Sequence, residues 1–199
     1  MNEFEMKMDE PDSTEHGNLV NYYYYCNIFD SEQIEKIIEI SKKYTILDAN
    51  VSGTINHDYR KTNICWMPFN EETKFIYDKI TYYAKDANKK MWNFNIPFLK
   101  EKIQFSVYEA EQQGHYDWHM DVGGGKGSTR KMSMSIQLSD PKDYKGGELE
   151  FMLHRNIHKA PQNKGDAIFF PSYLMHRVKK VTEGTRYSLV FWFHGPPFS

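Results

Sequence analysis

The sequence predicts a mainly β protein with flanking helices, arranged as a β-sandwich or a jelly-roll barrel. Two segments in the first half carry a helical apolar period. From about residue 101 the period changes to two. The segments that follow are short, alternate in polarity and are mostly separated by glycine, proline or a polar turn, with no helix between them. A chain of 199 residues suits one domain, or one domain with a helical extension. Residues 1–17 are expected to be a flexible arm and residues 18–199 one domain, with its β-rich core at about 101–193.

The first helix is expected in "FDSEQIEKIIEISKK", residues 29–43. Asp30 stands as N-cap with Gln33 three positions on, a capping-box arrangement, and Phe29 and Ile34 are placed as a hydrophobic staple. Ile34, Ile37, Ile38 and Ile40 form the buried stripe. The second is expected in residues 70–92, where Ile76, Ile80, Tyr83, Ala84, Ala87 and Met91 follow helical spacing. Both stripes are suited to packing on a sheet. The tetrad Tyr22 to Tyr25 reads as an aromatic strand ahead of the first helix.

The strands follow in order. "KIQFSVYE" puts Ile103, Phe105 and Val107 on one face and Gln104, Ser106 and Tyr108 on the other. "KMSMSIQL" (131–138) alternates Met, Ile and Leu with Ser and Gln, and segments at 146–153, 165–172, 175–181 and 185–193 continue the series. Aromatic residues make up 16% of the chain, enough to build a core at this length.

Charge and cysteine usage exclude several classes. The net charge is −2, with no basic field to hold a polyanion, so no nucleic-acid partner is expected. Two cysteines, Cys26 and Cys65, form no CxxC and no disulfide framework. The acidic N-terminus lacks the apolar stretch of a signal peptide, and no apolar run approaches a membrane span. A cytoplasmic protein without a membrane partner is therefore expected.

The chemistry concentrates in "HYDWHMD", residues 115–121, which contains His-x-Asp twice. On a regular strand His115, Asp117, His119 and Asp121 would share one face. His119 and Asp121 lie roughly 7 Å apart along such a strand, close enough to converge on one ion, whereas His115 and His119 lie roughly 13 Å apart. One metal cannot use both pairs. His176, after the strand end and turn "IFFPSYLM", supplies a third ligand. Two imidazoles and one carboxylate that leave other positions open form the facial triad of non-haem Fe(II) oxygenases.

Arg186 lies ten positions after His176, on the following strand. Period two puts Arg186, Ser188 and Trp192 on one face. A guanidinium facing a barrel interior needs an anion. A dicarboxylic acid that chelates the metal at one end would supply it, with Ser188 donating to the same end. An ion pair with a protein carboxylate is the alternative. The glycine-rich "GGGKG" (123–127) lacks the spacing of a phosphate loop and reads as a mobile loop beside the metal.

"VYEAEQQGHYDWHMD", "KGGELEF", "GDAIFFPSYLMHRV" and "EGTRYSLVFWF" together resemble the 2-oxoglutarate- and Fe(II)-dependent dioxygenases, in particular the prolyl 4-hydroxylase-like branch. The resemblance covers about residues 101–193. It implies a double-stranded β-helix, or jelly-roll, core with N-terminal helices packed on the major sheet. The family pattern of glycine, aromatic, then His-x-Asp matches Gly114, Tyr116, His119 and Asp121. His115 sits too close to the glycine to be the first ligand. By resemblance, His119, Asp121 and His176 hold Fe(II), and Arg186, with Ser188 and Tyr108, binds the distal carboxylate of 2-oxoglutarate.

The implied reaction consumes 2-oxoglutarate and O2, releases succinate and CO2 and hydroxylates a substrate C–H bond. Ascorbate as a reductant is a family expectation. Collagen-type relatives usually carry Lys at the Arg186 position, while Arg is common in other microbial members. The related halogenases have a small residue where Asp121 stands, so hydroxylation is favoured. The substrate expected first is a peptidyl proline in a peptide or protein partner. A free amino acid, small metabolite or nucleobase is the second reading. A non-catalytic jelly-roll binding module with a residual metal site is the third. Arg60, Trp66, Trp118, Glu148 and the 123–130 loop are the candidate substrate-rim residues.

Overall fold

The computed structural model describes residues 21–49, 56–97 and 99–198. The expected arm at 1–17 lies outside them. Two antiparallel sheets form the β structure. The larger runs β1 (Tyr23–Tyr25), β11 (Ala167–Pro171), β7 (Arg130–Gln137), β13 (Val181–His194), β5 (Ile103–Glu109), β4 (Asn63–Met67), β2 (Leu47–Asp48), and β8 (Tyr144–Gly146) pairs with the start of β13. The smaller runs β10 (Asn156–Lys159), β9 (Leu149–Leu153), β12 (His176–Val178), β6 (His115–His119), β3 (Arg60–Lys61). This is the expected jelly-roll architecture.

Alternation along the strands builds two cores at once. Tyr23, Tyr25, Ala167 and Phe169 point to the helical side of the large sheet, and Tyr24, Ile168 and Phe170 point between the sheets. Phe151, Leu149 and Val178 of the small sheet close that second core. Helices α1 (Ser31–Ser41) and α2 (Lys74–Met91) bury Ile34, Ile37, Ile76 and Ile80 against the outer face of the large sheet. The helices therefore brace the sheet from behind and leave its inner face to line the barrel.

The capping box expected at Asp30 is present. The Gln33 amide donates to Asp30 Oδ1 at 2.8 Å, and the Asp30 amide donates to Gln33 Oε1 at 3.3 Å. The first helix starts at Ser31, directly after the expected N-cap, whereas the second starts at Lys74, later than the apolar pattern suggests. Ahead of α2, the Asn70 side chain accepts from the amides of Glu72 and Thr73, both at 3.0 Å, and this turn takes up the first residues of the expected span.

Three strand boundaries also move. The strand expected from residue 146 begins at Leu149, because Gly146 and Gly147 both adopt positive φ, +75° and +65°, and turn the chain out of β8. The segments at 175–181 and 185–193 regroup into a short β12 and a 14-residue β13. Gly184, expected in a turn, lies within β13 opposite Tyr144. Strands β2, β3 and β4 were not expected. Their residues lack a clean two-residue period and lie between the two helices in sequence. Both cysteines are thiols. Among the described residues no helix is long and apolar enough to cross a membrane.

Replacing Asp30 with Ala removes the reciprocal cap and should lower unfolding stability by about 1 kcal/mol. The check is urea denaturation, in which the midpoint falls while the slope stays constant.

Candidate active site

His119, the last residue of β6, pairs directly with His176, the first residue of β12. Antiparallel pairing thus sets two imidazoles side by side, with ring centroids 4.1 Å apart. Asp121 follows two residues after His119. Its position is fixed by backbone bonds to the turn before β12, with the Asp121 and Val122 amides donating to the Ser172 carbonyl at 2.8 and 3.0 Å. One ligand atom from each of His119, Asp121 and His176 lies within 4.8 Å of the other two. All three side chains are more than nine-tenths buried.

The local hydrogen bonds fix the imidazole tautomers. Nδ1 of His119 contacts the Asp117 carbonyl at 2.7 Å, and Nδ1 of His176 contacts the Leu174 carbonyl at 2.8 Å. A carbonyl can only accept, so each Nδ1 carries the proton and each Nε2 presents its lone pair. Those Nε2 atoms lie 3.8 and 3.6 Å from the two Asp121 carboxylate oxygens. Burial and the neighbouring His176 push the His119 imidazole down to about 3, so it is neutral at physiological pH. Burial opposes ionisation of Asp121, but His176, His119, Arg130 and the Ser133 hydroxyl outweigh it and hold the carboxyl below its ordinary range. Two imidazoles whose Nε2 atoms face an ionised carboxylate suit a divalent transition metal.

The strand carrying the motif is not regular. His176 pairs with His119 while Val178 pairs with Tyr116, so two residues of β12 span three of β6. This bulge breaks the expected alternation. Tyr116 and His119 line the same cavity and stack at 3.5 Å between centroids. His115 turns to the other side, where its ring nitrogens contact the carbonyls of Gln113 at 2.8 Å and Asp58 at 3.1 Å. Gly114 is required here by close packing, since a Cβ would lie 2.8 Å from the backbone of Tyr108 and Glu109.

The triad and Arg186 line one cavity of about 530 Å3, within the range of small-ligand sites. Arg186 is 1% exposed, and no Asp or Glu among the described residues forms an ion pair with it. Its Nη2 donates to Gln137 Oε1 at 2.9 Å and its Nη1 to Ser188 Oγ at 3.4 Å. Its Nε has no partner, and neither does Gln137 Nε2. Tyr108 places its ring under the guanidinium, 5.3 Å from the centroid. A buried cation with spare donors and no protein anion fits an anionic ligand, and a carboxylate matches its planar fork. Gly147 keeps this space open, because a Cβ there would lie 2.9 Å from Arg186 Cδ.

The rim candidates separate. Arg60, on β3, lines the cavity and stacks on Tyr116 at 4.4 Å, forming a layer of Arg60, Tyr116 and His119. Trp66, Gly123, Gly124, Gly127 and Arg130 also line it. Trp118 and Glu148 do not. Trp118, adjacent to His119 on the strand, faces the opposite side and lies beneath the Arg177 guanidinium at 4.6 Å, and Glu148 is engaged by Lys159 at 3.1 Å and Lys179 at 3.7 Å. Sequence reasoning missed Gln137, which orients Arg186. It also missed Ser133, whose hydroxyl donates to Asp121 Oδ2 at 2.6 Å. The polar alternation of "KMSMSIQL" was the available signal for both.

Comparison with known proteins follows from this geometry. Residues 103–194 match the family model described as the 2OG-Fe(II) oxygenase superfamily. The match covers just under half of the chain and includes His119, Asp121, His176 and Arg186. A PKHD-type hydroxylase of Pseudomonas paraeruginosa is 35% identical over 115 residues, covering 52% of this chain and 50% of that protein. The chain spans about half the length, or less, of the curated relatives it matches at 34–36% identity. Two solved structures share the fold. A prolyl-4-hydroxylase of Pseudomonas putida superposes with TM-score 0.70 at 19% identity, covering 87% of this oxygenase and 92% of that chain. A prolyl hydroxylase of Trichoplax adhaerens, solved with a hypoxia inducible factor peptide fragment, gives TM-score 0.75 at 16% identity, covering 89% and 84%. The superfamily description names Fe(II) and 2-oxoglutarate, and the donor sets of this oxygenase suit both.

Ser133→Ala removes the hydroxyl that orients Asp121 and should weaken divalent-metal affinity about 10-fold. Titration with Mn(II) as a redox-stable probe checks this. His115→Ala, which removes no cavity atom, should leave the affinity unchanged.

Proposed function

We propose that this oxygenase hydroxylates a prolyl residue in a peptide or protein, consuming 2-oxoglutarate and O2 and releasing succinate and CO2. The observation that carries the reading is the convergence of the His119, Asp121 and His176 donors and the carboxylate-free Arg186 on one cavity. His119, Asp121 and His176 would hold Fe(II), which when bound supplies the oxidation chemistry. Arg186 would hold the distal carboxylate of 2-oxoglutarate, oriented by Gln137 and Ser188 and backed by the Tyr108 ring.

The remaining residues position and shield. Each imidazole keeps a proton on Nδ1 and donates it to a backbone carbonyl, which turns Nε2 to the metal site. Burial of the triad excludes bulk water from the reacting centre. Support for a prolyl substrate comes from the outer cavity, where the Trp66 and Trp192 rings lie 6.2 Å apart at 43°. Aromatic walls of this kind pack proline rings well. The Arg130 guanidinium lies 3.8 Å over the Trp192 ring and adds donors at the same wall. The peptide-bound Trichoplax adhaerens structure supports the same substrate class. Ascorbate would serve as the reductant that restores Fe(II), as expected for the family.

The deciding experiment measures succinate formation with Fe(II) and 2-oxoglutarate across proline-containing peptides, free amino acids and nucleotides. Mass spectrometry follows the added oxygen. Stimulation by proline peptides with oxygen on proline supports the reading. Stimulation only by a small molecule moves the substrate class, and no metal-dependent turnover under any condition favours a binding module. His119→Ala and Asp121→Ala should abolish turnover, while His115→Ala retains most of it.

Arg186→Ala should raise the KM for 2-oxoglutarate by about 100-fold, the scale of losing a buried charge-assisted pair. An unchanged KM would remove Arg186 from that role.

A further inference from the structure

Arg186 is not the only buried guanidinium that lines the metal cavity without a carboxylate. Arg60 is 8% exposed and forms no ion pair among the described residues. Its Nη2 reaches Gln104 Oε1 only at 3.5 Å, the outer limit of a hydrogen bond. Its Nε is buried and has no partner, and its Nη1 forms no hydrogen bond among the described residues. The Tyr116 ring covers one face of the guanidinium, 4.4 Å from the ring centroid. Arg60 is therefore less well compensated than Arg186, and the reaction above gives it no task.

The carboxylates around the cavity are engaged elsewhere. Asp121 faces the two imidazoles, and Glu101 is taken up by Arg130. Asp48, an exposed lining residue, lies 3.2 Å from His57 Nε2. With Fe(II) and 2-oxoglutarate in the cavity, the metal and Arg186 offset Asp121 and both carboxylates of the cosubstrate. Arg60 then keeps a buried positive charge with no anion beside it, which is unfavourable unless a ligand supplies one.

We infer that Arg60 binds a carboxylate of the substrate, carried by the hydroxylated residue or by its immediate neighbour. The inference rests on the peptide reading of the metal cavity. The position follows from the stack, in which Arg60 lies over Tyr116 at 4.4 Å and Tyr116 over His119 at 3.5 Å. The cation thus stands two layers from a metal-ligating ring, and an extended chain advances about 3.3 Å per residue. Two sources present the required group: the terminal carboxylate of a chain that ends in proline, and an Asp or Glu side chain next to an internal proline. In both, the open Nη1 donates a charge-assisted hydrogen bond to the carboxylate. Arg60 is then a specificity-determining residue, and the oxygenase selects proline beside a negative charge.

The test uses the full chain loaded with Mn(II) and 2-oxoglutarate and matched peptides labelled with fluorescein at the N-terminus. One pair ends in proline, as the free acid or the amide. The other pairs hold an internal proline with Asp or Asn directly before or after it and an amidated C-terminus. The same pairs are assayed for hydroxylation with Fe(II). At least one charged member should bind about 10-fold tighter than its neutral match, the scale of one buried charge-assisted hydrogen bond. The pair that shows this identifies the source of the carboxylate. The preference should vanish in Arg60→Gln and persist in part in Arg60→Lys. An Arg60 that only supports Tyr116 would, when replaced, weaken both members of a pair alike and leave their ratio unchanged.

Hydroxylation of proline peptides with no preference for the charged member overturns the role of Arg60 and leaves the prolyl reading standing, as does a preference that Arg60→Gln retains. Charged peptides that bind through Arg60 without gaining oxygen on proline support the carboxylate site and overturn the prolyl reading. Absence of both binding and turnover overturns both.

Discussion

The pairing of β6 with β12 is the constraint on which the site depends. It joins the middle of the small sheet and sets His119 opposite His176. The bulge inside that pairing brings Tyr116 round to the cavity beside His119, and Arg60 stacks behind it. The turn before β12 holds Asp121 by its backbone. A metal centre built this way rests on main-chain hydrogen bonds, which tolerate little displacement, and so its donors are set before any ion arrives.

Arg186 is the second fixed point. Burial of a guanidinium without a protein carboxylate is unfavourable in isolation, and here it is stabilised only by neutral acceptors and an aromatic ring. The fold retains this unbalanced charge about a shared cavity with the triad. The same principle, inverted, shapes the outer wall, where Arg130 is matched by Glu101 and laid on Trp192. One arginine is kept unpaired for a ligand, and the other is paired so that it can serve as structure.

Much of this was legible locally. The Asp30 cap, the apolar stripes of both helices and the shared face of Arg186, Ser188 and Trp192 follow from short-range spacing, and each appears where the spacing puts it. The motif His-x-Asp and the later His pointed to the three residues that the structure brings within 4.8 Å. What escaped was any feature set by an irregularity or a distant partner. The bulge in β6 brings Tyr116 to the cavity beside His119 and leaves His115 on the other side, against regular alternation. Gln137 lies 49 positions from the arginine it orients, and Ser133 lies 12 from the carboxylate it steadies.

By itself the sequence determined the class of fold, the element types and the chemical identity of the donors, because periodicity and side-chain chemistry are properties of neighbouring residues. Only the tertiary structure decided that His115 turns away to backbone carbonyls and that Arg186 remains without a protein carboxylate. It also decided that Glu148 is spent on lysines. Those outcomes depend on strand register and on which side chains meet across the barrel, and a single extra residue in one strand is enough to reverse the face a side chain occupies.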